Sequence, residues 1–228
     1  MKNLDNLKNL TKIAIMFAGL IASANLFSQD ELLSKVKYND IDAVKALIAA
    51  GSDINQQDES YGYTALMWAC EFDYVDMAKL LIAEGADINI TAKDGSTALV
   101  RAAGNAPGAV GLLLEKGADV KVVPDDGIGV MNQAVFGVLF KGYSMESFET
   151  LLSHGGDVDE AIGNLDPITG FTPLLLAVRE NNEEVAKYLI GKGANVNARA
   201  ANGKTPLSLA SEEGFNGMVE LLKANGAE

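Results

Sequence analysis

The chain has 228 residues, 48% of them apolar, and carries 31 acidic against 18 basic side chains for a net charge of −13. An acidic surface repels phosphate backbones, which argues against nucleic-acid binding, and this much apolar content can bury a core, which argues against disorder. The one cysteine, Cys70, has no partner for an internal disulfide, so the fold depends on no oxidising compartment.

At the N-terminus Lys2, Lys8 and Lys12 precede an apolar run from Ile13 to Ala24 that ends in Ala22-Ser23-Ala24. Charged, apolar and small residues in that order are the pattern of a secretory signal peptide. Spanning a bilayer takes about 20 apolar residues, and here Asn25 interrupts the run and Ser28-Gln29-Asp30 closes it. The expectation is a leader at residues 1–24 cut after Ala24, with Ser28 as the second choice. An uncleaved membrane anchor and a cytoplasmic N-terminal helix are the alternatives. No cysteine precedes residue 70, so the thiol of a bacterial lipoprotein is missing. Loss of Lys2, Lys8, Lys12 and Asp5 leaves a mature chain of charge −15.

Beyond residue 30 the chain repeats itself. Thr64-Ala65-Leu66, Thr97-Ala98-Leu99, Thr172-Pro173-Leu174 and Thr205-Pro206-Leu207 are four versions of one triplet, and two neighbouring pairs are 33 residues apart. A glycine, a small residue and Asp, Asn or Glu follow each of them: Gly85-Ala86-Asp87, Gly117-Ala118-Asp119, Gly193-Ala194-Asn195 and Gly226-Ala227-Glu228. Gly51-Ser52-Asp53 and Gly155-Gly156-Asp157 make six units, at about 30–58, 59–91, 92–123, 124–160, 161–199 and 200–228. A fixed period of this length marks stacked supersecondary units.

Each unit reads as helix, turn, helix and a hairpin-like finger. The Thr hydroxyl can cap the first helix, with Pro173 and Pro206 at the first helical position, where the missing N–H costs nothing. Pairs such as Leu47-Ile48, Leu81-Ile82, Leu113-Leu114, Leu151-Leu152 and Leu189-Ile190 give the second helix its apolar side, and the glycine after it supplies a left-handed stop. Neither helix is long enough to be stable alone, so every unit needs neighbours.

On these residues the chain resembles the ankyrin repeat family, with its Thr-Pro-Leu-His-x-Ala and Gly-Ala-Asp patterns. The likeness covers about residues 30–228, and Ala69, Ala102, Ala134, Ala177 and Ala210 keep a small residue at the same helical place. The family's histidine is absent: Met67, Val100, Asn132, Leu175 and Ser208 stand there. The resemblance implies an all-α solenoid of six helix-turn-helix repeats with β-hairpin-like fingers. Lys35 in the first unit and Lys223 in the last replace residues that inner units keep apolar, as end repeats do. The array is therefore expected to run from near Asp30 to the C-terminus.

Three units depart from the period. Unit four has Gly129 in place of Thr and five extra residues, expected around Phe140 to Ser144 in the first helix or the turn after it. The finger before unit five is also five residues longer. It holds Asp157, Asp159, Glu160, Asn164, Asp166 and Pro167, then Thr169-Gly170-Phe171, expected as a turn with an exposed aromatic. Unit three is one residue short and carries Pro107 between its helices. Loops that stacking does not require are where function tends to sit, although drift is the bland alternative.

Catalysis needs a base, a nucleophile or a metal cluster, and the one histidine, His154, sits beside the glycine that ends a helix, where it suits the dipole. No Cys/His set has zinc spacing, and Gly127-Ile128-Gly129 lacks a third glycine and a preceding strand. The acidic run from Asp157 to Asp166 lacks the ordered ligands of a calcium loop. Cys70 falls at a buried small-residue position, structural rather than reactive. The expectation is no enzyme and no cofactor.

The resemblance implies instead a binding module whose finger tips and first helices form one concave face. Its contact positions fall on Ser60, Tyr61, Tyr63, Glu71 and Phe72 in unit two and Lys93, Asp94, Ser96 and Asn105 in unit three. They continue with Asp125, Asp126 and Ile128, then Thr169, Phe171, Arg179 and Glu180, then Asn202, Lys204, Glu212 and Glu213. Unit two stands out for Tyr61, Tyr63, Trp68, Phe72 and Tyr74, since aromatics anchor interface hot spots. Tyr61, Tyr63 and Phe72 are the expected anchors, Trp68 and Tyr74 partly core.

By resemblance to exported bacterial proteins of similar layout, some of them linked to catalase and oxidative-stress defence, the chain is expected to be a periplasmic or secreted monomer that docks a partner protein. Rival readings are a haem or small-ligand carrier with Met131, Phe136, Phe140 and Met145 as its pocket, and a secreted effector. Intact-mass analysis of the protein purified from its own host should find a chain starting at Asn25. A membrane-bound chain that keeps Met1 would count against the leader.

Overall fold

The computed structural model describes residues 31–163 and 165–228. The expected leader, its cut after Ala24, the start of the array at Asp30, and Asn164 lie outside the described residues. Among those described there are twelve helices and no strand, and none of the helices is long and apolar enough to cross a membrane.

The helices form six pairs: α1 (31–37) with α2 (Ile41–Ala49), α3 (Ala65–Glu71) with α4 (Val75–Ala83), and α5 (Ala98–Asn105) with α6 (Pro107–Glu115). Then come α7 (Val130–Lys141) with α8 (Glu146–Ser153), α9 (Pro173–Arg179) with α10 (Glu183–Gly191), and α11 (Pro206–Glu212) with α12 (Asn216–Ala224). First helices pack in a row, α3 on α5, α5 on α7, α7 on α9 and α9 on α11, and α4, α6 and α8 follow one another behind them. The all-α solenoid is what the repeat pattern implied.

Local chemistry starts three of the first helices, whereas Thr97 before α5 makes no side-chain capping bond. The hydroxyls of Thr64, Thr172 and Thr205 accept the N–H groups of Met67, Leu175 and Ser208 at 3.3, 3.4 and 3.2 Å. Thr205 and Ser208 close a reciprocal capping box, so Ser208 fills one of the missing histidine positions with a hydrogen bond of its own. The turn between helices passes through a left-handed residue at Asn39, Asp73 and Asn181, types that tolerate that conformation. Pro107 opens α6 as its first residue, where a proline fits.

Stacking holds the pairs together. Ala69, Ala102, Ala134, Ala177 and Ala210 are all sealed between helices, and Leu81, Leu113, Leu151, Leu189 and Leu222 are fully buried on the second helices. Lys35 is half-buried and Lys223 exposed at the two ends.

A second set of contacts ties the fingers. Four residues after Gly51, Gly85, Gly155 and Gly193 stand Asn55, Asn89, Asp159 and Asn197. Each side-chain oxygen accepts a backbone N–H from the following unit: Asp87 at 2.7 Å, Asp119 at 3.3 Å, Asn195 at 2.9 Å and Glu228 at 2.9 Å. Lys121 occupies that place in unit three and has no acceptor to offer, so the rung between units three and four is missing. Finger tips add backbone bonds, Lys93 N–H to Tyr61 O, Asp125 to Asp94, Gly163 to Gly127 and Ala201 to Thr169, at 2.8–3.0 Å. Gly127 and Gly163 pass so closely that a Cβ on Gly127 would stand 2.4 Å from the Gly163 Cα.

Both insertions have a structural outcome. The five extra residues of unit four lengthen its first helix, since α7 has 12 residues where α3 has 7, and left-handed Gly142 ends it. The longer finger delivers Glu160 to the start of that helix. Its Oε2 accepts the N–H groups of Met131 and Asn132 at 3.1 and 3.3 Å, and the Asn132 amide donates to the Glu160 carbonyl at 2.7 Å. Glu160 thus supplies the cap that Gly129 lacks. A side chain at residue 129 would run into that carboxylate, whose Oε1 is 2.4 Å from where its Cβ would be.

Burial pushes the Glu160 carboxyl above its ordinary value, against the opposing pull of the Asn132 and Met131 N–H groups. The folded protein therefore holds this proton more tightly than the unfolded chain. The resulting stability is fully present below the ordinary glutamate value and is lost as pH rises through the raised one. Glu160→Gln keeps an acceptor without the charge, so its stability relative to wild type should improve between pH 4 and pH 7 in urea titrations. Glu160→Ala should lose about 0.5–2 kcal/mol at pH 7 through the missing cap. A Glu160→Gln difference that does not change with pH would contradict the assignment.

Candidate functional site

The site is built on the first three inner helices and the fingers before them. In unit two the finger ends at Tyr63, whose carbonyl accepts the Asp58 N–H at 2.9 Å, and Thr64 then starts α3. This places Tyr61 at the tip and Trp68 and Phe72 on successive turns of the helix. The rings form a continuous run, Tyr61 to Tyr63 at 5.5 Å, Tyr63 to Trp68 at 5.0 Å, Trp68 stacked on Phe72 at 5.3 Å and Phe72 to Tyr74 at 5.6 Å. Asp58 fixes Trp68 by accepting its indole N–H at 2.7 Å. Tyr61 stays 58% and Phe72 42% exposed, so the run has a buried middle and an open outer edge.

An ionic cluster adjoins it. The Arg101 guanidinium pairs with Asp94, lies 3.8 Å from Glu71, and donates to the Ser96 hydroxyl. Its carbon stands 4.9 Å from the centre of the Tyr63 ring. Burial resists ionisation of Asp94, but the Ser96 hydroxyl and N–H and then Arg101 together hold its carboxyl below the usual value. Burial pushes the Tyr63 hydroxyl up to about 12, so it stays protonated. Glu71 accepts from the Asn105 amide at 3.2 Å, Lys141 on the extra turn of α7 donates to Asn105, and Tyr143 donates to its carbonyl at 2.9 Å.

Most of the expected contact residues are accessible. Ser60, Tyr61, Phe72, Lys93, Asp125, Asp126, Glu180, Asn202, Glu212 and Glu213 are exposed, and Glu71, Asp94, Asn105, Ile128, Thr169, Arg179 and Lys204 half-buried. Three are corrected: Tyr63 is 7%, Ser96 0% and Phe171 4% exposed. All three occupy the place just before a helix-capping Thr, where the finger's returning arm turns inward under its neighbour. Phe171, expected as an exposed aromatic, pairs through its carbonyl with the Ile162 N–H at 2.9 Å and lies under the Arg179 guanidinium. Units two and three bring Tyr61, Tyr63, Glu71 and Phe72 together with Asp94, Ser96 and Asn105. The contact residues of units five and six make separate local pairs, Arg179 with Glu180 and Lys204 with Glu212.

Trp68, Arg101, Lys141 and Lys37 belong to this face and were not among the expected contacts. Trp68 and Arg101 each stand four residues after a capping Thr, a spacing visible in the sequence. Lys141 reaches Asn105 only because α7 is longer. Met131, Phe136, Phe140 and Met145 do not converge on one pocket. Met131 is core, Phe136 and Phe140 pair with each other at 5.8 Å, and Met145 alone lines a cavity of about 420 Å³ with Tyr143, Asn182 and Tyr188. His154 ends α8 with Nδ1 2.8 Å from the Thr150 carbonyl. Cys70 is fully buried, which pushes its thiol up to about 12. Among the described residues no group of three or more His, Cys, Asp or Glu side chains has the geometry to hold a metal ion.

The fold and this face define a stacked helical repeat protein with an open surface of finger tips and inner helices. A family description of ankyrin repeats in three copies matches residues 32–123 and 133–228, and the chain belongs to that family. It is 34% identical over 162 residues to an ankyrin repeat protein of fowlpox virus, covering 70% of this chain and 46% of the viral one. It is 43% identical over 102 residues to mouse protein phosphatase 1 regulatory subunit 27, covering 45% of this chain and 59% of the mouse protein. An ankyrin repeat protein of Rickettsia bellii is 31% identical over 104 residues, which is 46% of this chain and 15% of the relative. The matched stretches thus span only part of these relatives. Ankyrin repeats are in general protein–protein interaction modules.

Proposed function

We propose that this protein is a non-catalytic docking module that holds a partner protein on the face formed by its finger tips and first helices, acting as a monomer outside the cytoplasm. The observation that carries the reading is the aromatic run of unit two, in which buried Tyr63 and Trp68 support Tyr61 and Phe72 with open surface. A rigid aromatic edge beside a polar rim is the composition of an interface hot spot. The family's general role in protein binding supports the reading, as does the regulatory-subunit title of the mouse relative.

Export to the periplasm or the medium rests on Lys2, Lys8, Lys12 and the apolar run that follows them. Resemblance to exported bacterial proteins linked to oxidative-stress defence makes catalase the first partner to try.

The test is capture of the native partner from an envelope extract with the wild-type chain and with Tyr61→Ala and Phe72→Ala. Tyr63 is left intact because it is buried. Each substitution should weaken binding at least about tenfold while changing folding stability by no more than about 1 kcal/mol. Undiminished capture by the double variant would overturn the docking face.

A further inference from the structure

Of the five large apolar side chains left exposed among the described residues, Tyr38, Tyr61 and Phe72 belong to the first two units, and Val123 and Phe140 to units three and four. Tyr61, Tyr63, Trp68 and Phe72, with the carboxylate of Glu71, line an open depression of about 260 Å³. Its chemistry is mixed in a particular way, four aromatic rings and one acid. The negative π-faces of such rings attract cations, Trp most strongly.

Two of the protein's own cations already use this field. The Lys37 ammonium stands 4.0 Å from the centre of the Trp68 ring, and the Arg101 guanidinium 4.9 Å from that of Tyr63. Tyr61 and Phe72 keep open surface beside them, and Glu71 is 3.8 Å from Arg101 at its nearest approach, a loose pair that leaves carboxylate capacity. An apolar plug here would bury Glu71 against that weak partner and lose its hydration. A guanidinium is planar, stacks on aromatic rings and binds a carboxylate in one geometry. The chain's charge of −13 favours a basic partner at longer range.

We propose that this depression seats an arginine side chain from a basic segment of the partner protein, stacked against Tyr61 and Phe72 with its guanidinium toward Glu71. The proposal rests on the docking function above and adds the chemistry of what is docked.

Trp68 is the sole tryptophan and lies in the depression, so its fluorescence reports occupancy. The full chain is titrated with three synthetic peptides of alternating glycine and a second residue: arginine, uncharged isosteric citrulline, or glutamate. The arginine peptide should change Trp68 emission saturably and bind at least about fivefold tighter than the citrulline peptide, with no response to glutamate. Glu71→Gln, which keeps an acceptor for Asn105, should weaken the arginine peptide several-fold and leave the citrulline peptide unchanged. The Tyr61→Ala and Phe72→Ala double variant should lose the arginine response.

Equal binding of arginine and citrulline peptides, an arginine response that survives in the double variant, or no saturable response would each overturn the proposal. If the double variant nevertheless loses the native partner, docking stands and only its cationic chemistry fails. If the arginine peptide behaves as expected but the double variant keeps the native partner, the arginine site stands and the docking face fails.

Discussion

No helix pair in this protein can hide its own apolar side, and every other feature follows from how the next pair covers it. Helices of seven to nine residues are too short to persist in water alone. Their fully buried leucines and the sealed alanine in the first helix of units two to six are satisfied only across the boundary between units. Side-chain and backbone hydrogen bonds between fingers add a second, directional layer, which fixes the register in which neighbours stack. The open face is a consequence of that register: inner helices and finger tips align on one side because each unit copies the displacement of the one before.

Departures from the repeat are where the structure does something individual. Gly129 is a lost cap at the level of its own unit, but the longer finger returns Glu160 to the same helix end and makes the loss good. The two irregularities are one device, an insertion and a glycine that depend on each other. Lys121 removes the side-chain rung between units three and four, and Pro124, without an N–H, removes the finger bond that Asp58, Ala92, Ile162 and Ala200 make in other units. That junction keeps the backbone bond from the Asp125 N–H to the Asp94 carbonyl and the bond from the Tyr143 hydroxyl to the Asn105 carbonyl, and the long α7 packed on α5 adds apolar contact. The extra turn of α7 also carries Lys141 to Asn105, extending the polar rim that begins at Glu71.

The fold was legible because stacking imposes one period on both helix starts and helix stops. Capping threonines, terminating glycines and buried alanines all stand in the sequence at fixed offsets. The size of each insertion was legible too, and so was the concentration of aromatics in unit two. What could not be read was direction. Tyr63, Ser96 and Phe171 share one repeat position, and nothing in residue type tells whether the returning arm of a finger points its side chain outward or under its neighbour. Glu160 was visible only as one acid in an acidic loop, since its partners lie 28 and 29 residues away and the pairing exists only once the units are stacked. Arg101 and Trp68 share an offset from the capping Thr, and a comparison of units at that offset would have found both.

The dependence of each unit on its neighbour can be measured through Trp68, which lies in unit two. Leu113 is fully buried on the second helix of unit three, and Leu113→Ala should destabilise that unit by about 2–5 kcal/mol. In urea unfolding followed by Trp68 fluorescence, the account predicts that this change moves the midpoint of unit two clearly downward, although Leu113 lies in another unit. A Trp68 transition that keeps its wild-type midpoint, while circular dichroism shows the rest of the chain weakened, would mean that unit two stands without its neighbour.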